Sequence, residues 1–252
     1  MMAQDLQPWY RTWFESPWYM KLYRHRTEQE ARQAVALVHD AAHVPKGARV
    51  LDLCCGYGRH AMALAEHGYQ VVGLDQSAYL ISQAQEQFAH PGCTYVVGDM
   101  RGPYPHAPYD AIVNFFTSFG YFDHHADHQL VFRTMFDALV PGGVLIMDFL
   151  NAEVTRATLV PESMQMVDGA TVIQERRIDE PFVKKTITIS NPCCYEVEYH
   201  EQVWLYSAND LIQMATDAGF TIDTMYGSYS GTPFDSATSP RCILIAHRPA
   251  SS

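Results

Sequence analysis

A regular alternation of short apolar runs with helical segments between residues 49 and 150 is the feature that most limits how this chain can fold. The apolar runs are R-V-L-D-L-C, Q-V-V-G-L-D, T-Y-V-V-G-D, Y-D-A-I-V-N-F-F and V-L-I-M-D-F-L. Strands that are apolar along almost their whole length are typical of a parallel sheet that helices cover on both faces. The alternation therefore predicts an α/β domain built around a mostly parallel sheet.

The alternation stops after Asn151. Between about 160 and 205 the sequence has polar alternation, as in K-K-T-I-T-I-S and Y-E-V-E-Y-H-E-Q-V-W, without a helix signal. A helix that begins at Ser207 and ends at Gly219 then precedes two final strands, F-T-I-D-T-M-Y and R-C-I-L-I-A-H-R. We therefore expect a seven-stranded, mostly parallel sheet with one antiparallel strand at its edge, and a small antiparallel β insertion after strand five.

The N-terminal stretch W-Y-R-T-W-F-E-S-P-W-Y-M-K-L-Y-R-H-R is dense in aromatic residues, and Thr27-Glu28-Gln29-Glu30 after it has the pattern of a capping box. The predicted organisation has three parts. Residues 1–45 form the aromatic segment and a helix, residues 46–154 and 203–252 form the α/β core, and residues 155–202 form the inserted β subdomain.

The segment V-L-D-L-C-C-G-Y-G-R-H-A, residues 50–61, carries the strongest functional signal. It reads as a strand, a turn of small residues and the start of a helix. Gly56 and Gly58 allow the backbone to approach a ligand where a Cβ would collide. Open α/β sheets bind their ligands at the carboxyl ends of their strands, which is where this turn lies.

Two further strands end in carboxylates. Asp75 ends the second strand, seventeen residues after Gly58, and is placed to accept hydrogen bonds from both hydroxyls of a ribose. Asp99 and Met100 end the third strand, where a side chain can reach an adenine ring. These positions predict a site for an adenosine-containing cofactor.

The pattern Gly56-x-Gly58-x-x-Ala61 also fits the dinucleotide fingerprint, so an NAD-linked oxidoreductase is the alternative. Three features favour S-adenosylmethionine instead. Asp52 lies inside the first strand, Pro141-Gly142-Gly143 precedes the fifth strand, and the last two strands are joined by a hairpin-like link.

D-x-C-C-G-x-G resembles motif I of the class I S-adenosylmethionine-dependent methyltransferases, with Cys54 where many members have glycine. Asp75, Asp99, Y-D-A-I-V-N-F-F and P-G-G-V-L-I are similar to their second to fifth motifs. The resemblance covers residues 50–150 and implies a Rossmann-like methyltransferase fold.

A narrower resemblance, to glycine N-methyltransferases and aminosugar N,N-dimethyltransferases, covers nearly the whole chain. It rests on the aromatic N-terminus, the F-T-S-F-G-Y-F stretch and the β insertion. It implies that the N-terminal segment is a lid, that Tyr23 and Arg26 contact the methionine end of the cofactor, and that Tyr121 lies where the aminosugar enzymes have a histidine.

The expected site follows from both resemblances. The cofactor residues are Tyr23, Arg26, Asp52, Cys54, Gly56, Gly58, Asp75, Gln76, Asp99, Met100 and Phe115, the catalytic candidate is Tyr121, and the substrate candidates are Tyr19 and Arg241. Three alternatives stay open. Arg26 could be a surface charge, Tyr121 a packing residue and Arg241 an ion-pair partner.

Charge and cysteine content limit the partners. A formal net charge of -11 disfavours nucleic acid and membrane surfaces. The sequence has no membrane-spanning run or signal peptide, which favours the cytoplasm, where the adjacent pairs Cys54-Cys55 and Cys193-Cys194 would stay as thiols. The insertion is a plausible homodimer surface.

The run Asp123-His124-His125-Ala126-Asp127-His128 contains metal-binding residue types but lies at a helix start, where Asp caps and His faces solvent, so we expect no metal site. The sequence thus predicts methyl transfer from S-adenosylmethionine to a nitrogen or oxygen of a small molecule. The alternatives are the NAD-linked oxidoreductase and a non-catalytic binding module of the same fold.

Overall fold

The computed structural model describes residues 7–191 and 195–250, and two sheets organise them. The strands are β1 Arg49–Leu53, β2 Gln70–Asp75, β3 Cys93–Val97, β4 Tyr109–Asn114, β5 Leu139–Leu150, β6 Glu162–Val167, β7 Ala170–Asp179, β8 Phe182–Asn191, β9 Tyr195–Trp204, β10 Thr221–Tyr226 and β11 Arg241–His247. Seven of them form one sheet in the order β10-β11-β5-β4-β1-β2-β3. The predicted seven-stranded α/β fold is confirmed.

One strand of this sheet runs against the others. β11 pairs antiparallel with β5 on one side and with β10 on the other, whereas β1 to β5 pair in parallel. The single antiparallel strand was therefore predicted correctly, but its place at the edge was wrong. The link between β10 and β11 lets β11 insert beside β5 and leaves β10 at the edge.

Eight helices complete the described part of the chain. They are α1 Trp9–Trp13, α2 Pro17–Leu22, α3 Glu28–Ala42, α4 Arg59–Glu66, α5 Ala78–Gln87, α6 His125–Ala138, α7 Ala152–Thr158 and α8 Ala208–Ala218. Because side chains alternate along a strand, Leu51 and Leu53 of β1 pack with α6 and α8, whereas Val50 packs on the opposite face with α3 and α4. Both faces of the seven-stranded sheet are thus covered, as predicted.

The predicted helix starts have identifiable caps. Thr27 accepts a hydrogen bond from the N–H of Glu30 at the start of α3. Ser207 and Asp210 form a complete capping box at the start of α8, which ends at Gly219 in a left-handed conformation. These contacts satisfy backbone groups that a helix end would otherwise leave without partners.

The remaining strands form a separate antiparallel sheet in the order β6-β7-β8-β9. Its inner face carries Val172, Ile187 and Ile189, which pack against Trp13 of α1 and Leu22 of α2. The two aromatic N-terminal helices therefore lie on this sheet.

Two local features differ from the sequence interpretation. Asn151 caps a short helix, α7, that was not predicted. Strand β5 begins at Leu139 and so includes Pro141-Gly142-Gly143, which was expected to precede it.

Within residues 7–191 and 195–250, no helix is long and apolar enough to cross a membrane. Cys54 and Cys55 are free thiols, and Cys193 and Cys194 lie outside the described residues.

Candidate active site

A cavity of about 530 Å³ lies at the carboxyl ends of β1, β2 and β3. Its lining is Tyr10, Phe14, Tyr19, Cys54, Gly56, Asp75, Gln76, Leu80, Gly98, Asp99, Met100, Ser118, Tyr121 and Phe122. Six of the residues expected to bind the cofactor are therefore brought together in this cavity, which we call the first cavity.

Gly56 and Asp75 form the floor of the first cavity. Gly56 has a φ of +57°, and the space where its Cβ would stand contains no other atom within 4 Å. The Asp75 carboxylate accepts hydrogen bonds from the N–H groups of Gly56 and Ser77, each at 2.9 Å. Burial raises the pKa of Asp75 to about 6, against the opposing effect of these hydrogen bonds. The floor therefore combines open space with an almost fully buried carboxylate.

Asp99 lies at the end of β3, where Arg101 engages it. Arg101 donates from Nη2 to Oδ2 at 2.7 Å and from Nε to Oδ1 at 3.0 Å. Partial burial raises the pKa of Asp99, but the hydrogen bonds from Arg101 outweigh burial and the net pKa is lowered. The neighbouring Met100 side chain is buried in the cavity wall.

Cys54 also lines the first cavity, at a position that usually requires glycine. Its φ is +63°, in the left-handed region that side chains with a Cβ rarely adopt. Burial raises the pKa of the Cys54 thiol well above its usual range, so the thiol is protonated at neutral pH.

Five of the expected cofactor residues do not line the first cavity, and three of these five are buried in the core of the protein. A Cβ on Gly58 would stand 2.8 Å from the Tyr95 hydroxyl, so this glycine allows α4 to pack closely. Asp52 lies buried in β1, where burial raises its pKa to about 7, and its Oδ2 has no hydrogen-bond partner within residues 7–191 and 195–250. Phe115 is buried, with its ring 4.9 Å from that of His60.

A second cavity, of about 950 Å³, lies between the α/β core and the inserted sheet. Its lining is Trp9, Phe14, Tyr19, Tyr23, Arg26, Phe116, Thr117, Ser118, Tyr121, Leu150, Arg176, Val183, Lys184, Lys185, Glu201, Val203 and Arg241. The remaining site predictions, Tyr23, Arg26 and Arg241, are found here. The second cavity shares Phe14, Tyr19, Ser118 and Tyr121 with the first, so these four residues form a common wall.

Tyr121 is the centre of the common wall. Its ring lies 5.2 Å from that of Trp9 and 5.7 Å from that of Phe14. Its hydroxyl donates to the carbonyl oxygen of Thr117 at 2.7 Å. Burial raises the pKa of Tyr121 well above its usual range, so the side chain is a neutral phenol.

Arg26 is half-buried among aromatic rings. Its guanidinium carbon lies 4.0 Å from the ring centre of Tyr23 and 4.6 Å from that of Phe116, and it donates to the hydroxyl of Tyr19 at 3.3 Å. Among the described residues, no carboxylate is close enough to Arg26 to form an ion pair. A buried cation without a counterion is a ready partner for a bound anion.

Arg241 is held by the fully buried carboxylate of Asp148, at 2.7 Å from Nε to Oδ1. Asp148 also accepts hydrogen bonds from the N–H of Phe116 and the hydroxyl of Tyr229. Phe116 and Thr117 have φ of +62° and +61°, so Asp148 stabilises a strained turn at the edge of the second cavity. The alternative of Arg241 as an ion-pair partner thus describes a real contact, although the residue also lines the cavity.

The narrower resemblance implied that the insertion helps to shape the substrate site, but the sequence analysis named no residue of the inserted sheet. Arg176, Lys185 and Glu201 come from three adjacent strands and line the second cavity. The signal was present in the polar alternation of these strands, because every second side chain lies on the same face. Which face would meet the core could not be read from the alternation.

The Asp-His run is engaged in contacts within the protein. Asp127 pairs with Arg101 at 3.3 Å. The Tyr206 hydroxyl lies 2.8 Å from Nδ1 of His125 and 3.0 Å from Nδ1 of His128, which is fully buried. No cluster of metal-ligating side chains occurs within residues 7–191 and 195–250.

Comparison with known proteins places this geometry among methyltransferases. Residues 50–143 match the family model described as "Methyltransferase domain". The methyltransferase YqeM of Bacillus subtilis is 32% identical over 124 residues, which are 48% of this chain and 50% of that protein. This chain therefore spans about half the length of that relative.

Two other proteins are similar over most of the chain. The dTDP-3-amino-3,6-dideoxy-alpha-D-glucopyranose N,N-dimethyltransferase of Streptomyces fradiae is 24% identical over 212 residues, which are 81% of each chain. The structure of an S-adenosylmethionine-dependent methyltransferase from Clostridium acetobutylicum covers 92% of this chain and 96% of its own, with a TM-score of 0.78 and 17% identity. The structural likeness shows a shared fold.

Proposed function

We propose that the chain is a class I S-adenosylmethionine-dependent methyltransferase and that it transfers a methyl group from S-adenosylmethionine to a nitrogen or oxygen of a small molecule. The observation that carries this proposal is that two cavities meet at one aromatic wall, formed by Phe14, Tyr19, Ser118 and Tyr121. A methyl donor on one side and an acceptor on the other would meet at this wall.

The first cavity fits the donor. The open space over Gly56 admits a ligand close to the backbone, and the Asp75 carboxylate is available to accept hydrogen bonds from ribose hydroxyls. Gln76, Asp99 and Met100 line the end of the cavity near β3, which suits the adenine. Arg26 supplies the positive charge that the methionine carboxylate requires.

Three of the predicted cofactor residues line neither cavity and are proposed to support the site indirectly. They are Gly58, Asp52 and Phe115. Gly58 allows α4 to begin with a left-handed residue beside Tyr95. Asp52 is buried in β1, whose end forms part of the first cavity, and Phe115 is buried just after β4, the strand beside β1. Their contribution is to the shape of the site.

Alignment supplies most of the rate. S-adenosylmethionine carries its methyl group on a positively charged sulfur, which is already an activated donor. The protein therefore has to hold the acceptor atom in line with the methyl group and exclude water. We infer that Tyr121 orients the acceptor at the common wall. Its hydroxyl proton is already donated to Thr117, so its oxygen can accept a hydrogen bond from the acceptor.

Calorimetry with S-adenosylhomocysteine tests the donor site. We expect Asp75→Ala to weaken binding by about 1.5–3 kcal/mol, because a charge-assisted hydrogen bond to the ribose is lost. Asp110→Ala is the matched control, since Asp110 also accepts a hydrogen bond from a backbone N–H, that of Arg49. This contact lies at the amino ends of β1 and β4, away from the carboxyl ends that form the first cavity. Equal affinity for the ligand in the two variants would contradict the assignment of Asp75.

Transfer of a labelled methyl group from S-adenosylmethionine to a panel of small amines and hydroxy compounds tests the reaction. Labelled product is the expected result. A protein that binds S-adenosylhomocysteine but labels no small molecule would instead be a binding module.

We also propose a cytoplasmic location, no nucleic-acid acceptor, and a homodimer formed through the inserted sheet. The formal net charge of -11 supports the second of these, because an acidic surface repels a phosphate backbone. Sedimentation of the protein at several concentrations tests the third.

A further inference from the structure

The second cavity is positively charged in a protein whose formal net charge is -11. Its lining has one carboxylate, Glu201, and five cationic residues, Arg26, Arg176, Lys184, Lys185 and Arg241. An acidic protein repels anions over most of its surface, so binding an anion requires a local cluster of cations. The second cavity has such a cluster.

Three of the five cations are neutralised by carboxylates of the protein. The pairs are Lys184 with Asp179, Lys185 with Glu201, and Arg241 with Asp148. The Glu201 carboxylate is engaged further, because it also accepts hydrogen bonds from Trp13 and Tyr23 at 2.7 Å each. Within the described part of the chain, Arg26 and Arg176 have no ion-pair partner. Arg26 belongs to the donor's carboxylate in the proposed function, which leaves Arg176.

Arg176 lies on the inner face of the inserted sheet, on the same side as the buried Val172 and Gln174. Among the residues that the structure describes, its guanidinium donates only to neutral oxygens. These are the Ser163 hydroxyl at 3.0 Å and the side-chain and backbone carbonyls of Gln174 at 2.7 Å and 3.5 Å. Some of its five N–H donors therefore remain available for a ligand.

The strand register places a second cation beside Arg176. Arg176 of β7 lies directly opposite Lys185 of β8. Lys185 is paired with Glu201 and also donates to the Tyr23 hydroxyl, so one of its three N–H donors remains for a ligand beside Arg176.

We propose that the methyl acceptor is itself an anion, and that its carboxylate or phosphate group binds to Arg176 and Lys185 on the inner face of the inserted sheet. The assignment of the second cavity to the acceptor rests on the proposed function. The planar fork of Arg176 suits both oxyanions because each presents two oxygens to it. With the anionic group held there, the rest of the acceptor extends within the same cavity toward Tyr121.

Binding of two simple probes tests this site without knowledge of the acceptor. Malonate and inorganic pyrophosphate are titrated into protein saturated with S-adenosylhomocysteine, and the carboxylate and phosphate arms show which oxyanion is preferred. We expect Arg176→Gln to weaken binding of the preferred probe by about tenfold or more, and Arg176→Lys to weaken it less. Arg177→Gln is the matched control, because Arg177 is the adjacent, exposed cation on the opposite face of β7.

Three results would overturn the proposal. The first is that neither probe binds the wild-type protein, and the second is that Arg176→Gln and Arg177→Gln weaken probe binding equally. The third is that Arg176→Lys loses as much affinity for the probe as Arg176→Gln while it keeps the wild-type melting temperature. The affinity for S-adenosylhomocysteine is measured on the same samples. A wild-type protein that does not bind S-adenosylhomocysteine would contradict the proposed function. A wild-type protein that binds S-adenosylhomocysteine but neither probe would contradict only the anion site.

Turnover gives a second readout with matched substrates. Glycine is compared with glycinamide, and glucosamine 6-phosphate with glucosamine, as methyl acceptors. We expect the anionic member of the preferred pair to be methylated faster, and Arg176→Gln to reduce this preference by about tenfold while Arg177→Gln preserves it. A neutral member that is methylated faster in both pairs would contradict an anionic acceptor.

Discussion

The resemblance to known methyltransferases predicted that Arg26 binds the cofactor, and the structure offers a physical reason for that prediction. Its guanidinium lies between the rings of Tyr23 and Phe116, which leaves its edge free to meet an anion. The sequence left open whether this residue was a surface charge. Half-burial without a carboxylate partner favours a binding role.

Arg26→Gln is expected to weaken S-adenosylhomocysteine binding by about tenfold or more, because a charge-assisted contact with the methionine carboxylate is lost. Binding of 5′-methylthioadenosine, which has no carboxylate, should stay the same. Arg24→Gln is the control, since the exposed Arg24 pairs with Asp168. Equal losses for the two ligands, measured by calorimetry, would mean that Arg26 shapes the cavity without binding the carboxylate.

Asp52 links the site to the pH dependence of stability. Its pKa is raised from an ordinary 3.8 to about 7, so the folded protein binds more protons than the unfolded chain between these values. The contribution of Asp52 to stability is therefore greatest at low pH and falls as the pH rises from about 4 to 7. Oδ2 of Asp52 has no hydrogen-bond partner in the described part of the chain, so an amide in its place breaks no hydrogen bond seen there.

We expect Asp52→Asn to have a stability close to that of the wild-type protein at pH 4 and to exceed it by roughly 2–4 kcal/mol near pH 8. Urea unfolding at several pH values measures the difference between the two proteins. A difference that does not change with pH would show that Asp52 titrates normally.

Residues that belong to local motifs could be predicted, and residues that depend on tertiary contacts could not. Gly56 and Asp75 were predicted from their positions at strand ends, and both line the first cavity. Phe115 was expected beside the cofactor, but the strained turn after β4 places Phe116 in the second cavity and leaves Phe115 buried. That turn is stabilised by Asp148 on another strand, which no local pattern reveals.

At the scale of elements, the N-terminal helices α1 and α2 join the two sheets. Trp13 donates to Glu201 and Ser16 donates to Tyr199, both on β9, while the carbonyl oxygen of Phe14 accepts from Ser77 at the start of α5. The aromatic density of this segment was a sequence signal for packing. Its partner, the inner face of the inserted sheet, had no sequence signature.

If α1 and α2 act as a lid, hydrogen exchange should show added protection in residues 8–26 when S-adenosylhomocysteine binds, because a lid orders over its ligand. Helix α8 is the internal control, since it lies away from both cavities, and its exchange should not change. Equal protection with and without ligand, together with a truncated chain that fails to fold, would identify the segment as a structural brace.

At the scale of the whole molecule, the alternation of strands and helices was enough to predict the seven-stranded sheet, because strands that are apolar along both faces are stable where helices cover both faces of the sheet. The position of β11 was not predictable in the same way. Its apolar pattern fits either the edge or the interior of the sheet, and only the pairing with β5 and β10 distinguishes them.

The first cavity lies at the ends of three adjacent strands of the seven-stranded sheet, β1, β2 and β3, so a ligand there should stabilise the entire fold. A ligand at one hundred times its dissociation constant adds about 2.7 kcal/mol to the free energy of unfolding if it binds only the folded state. For a chain of 252 residues we expect S-adenosylhomocysteine to raise the melting temperature by about 5–10 °C. NADH at the same concentration should not change it. A larger shift with NADH than with S-adenosylhomocysteine, measured by scanning calorimetry, would favour the dinucleotide alternative that the glycine pattern left open.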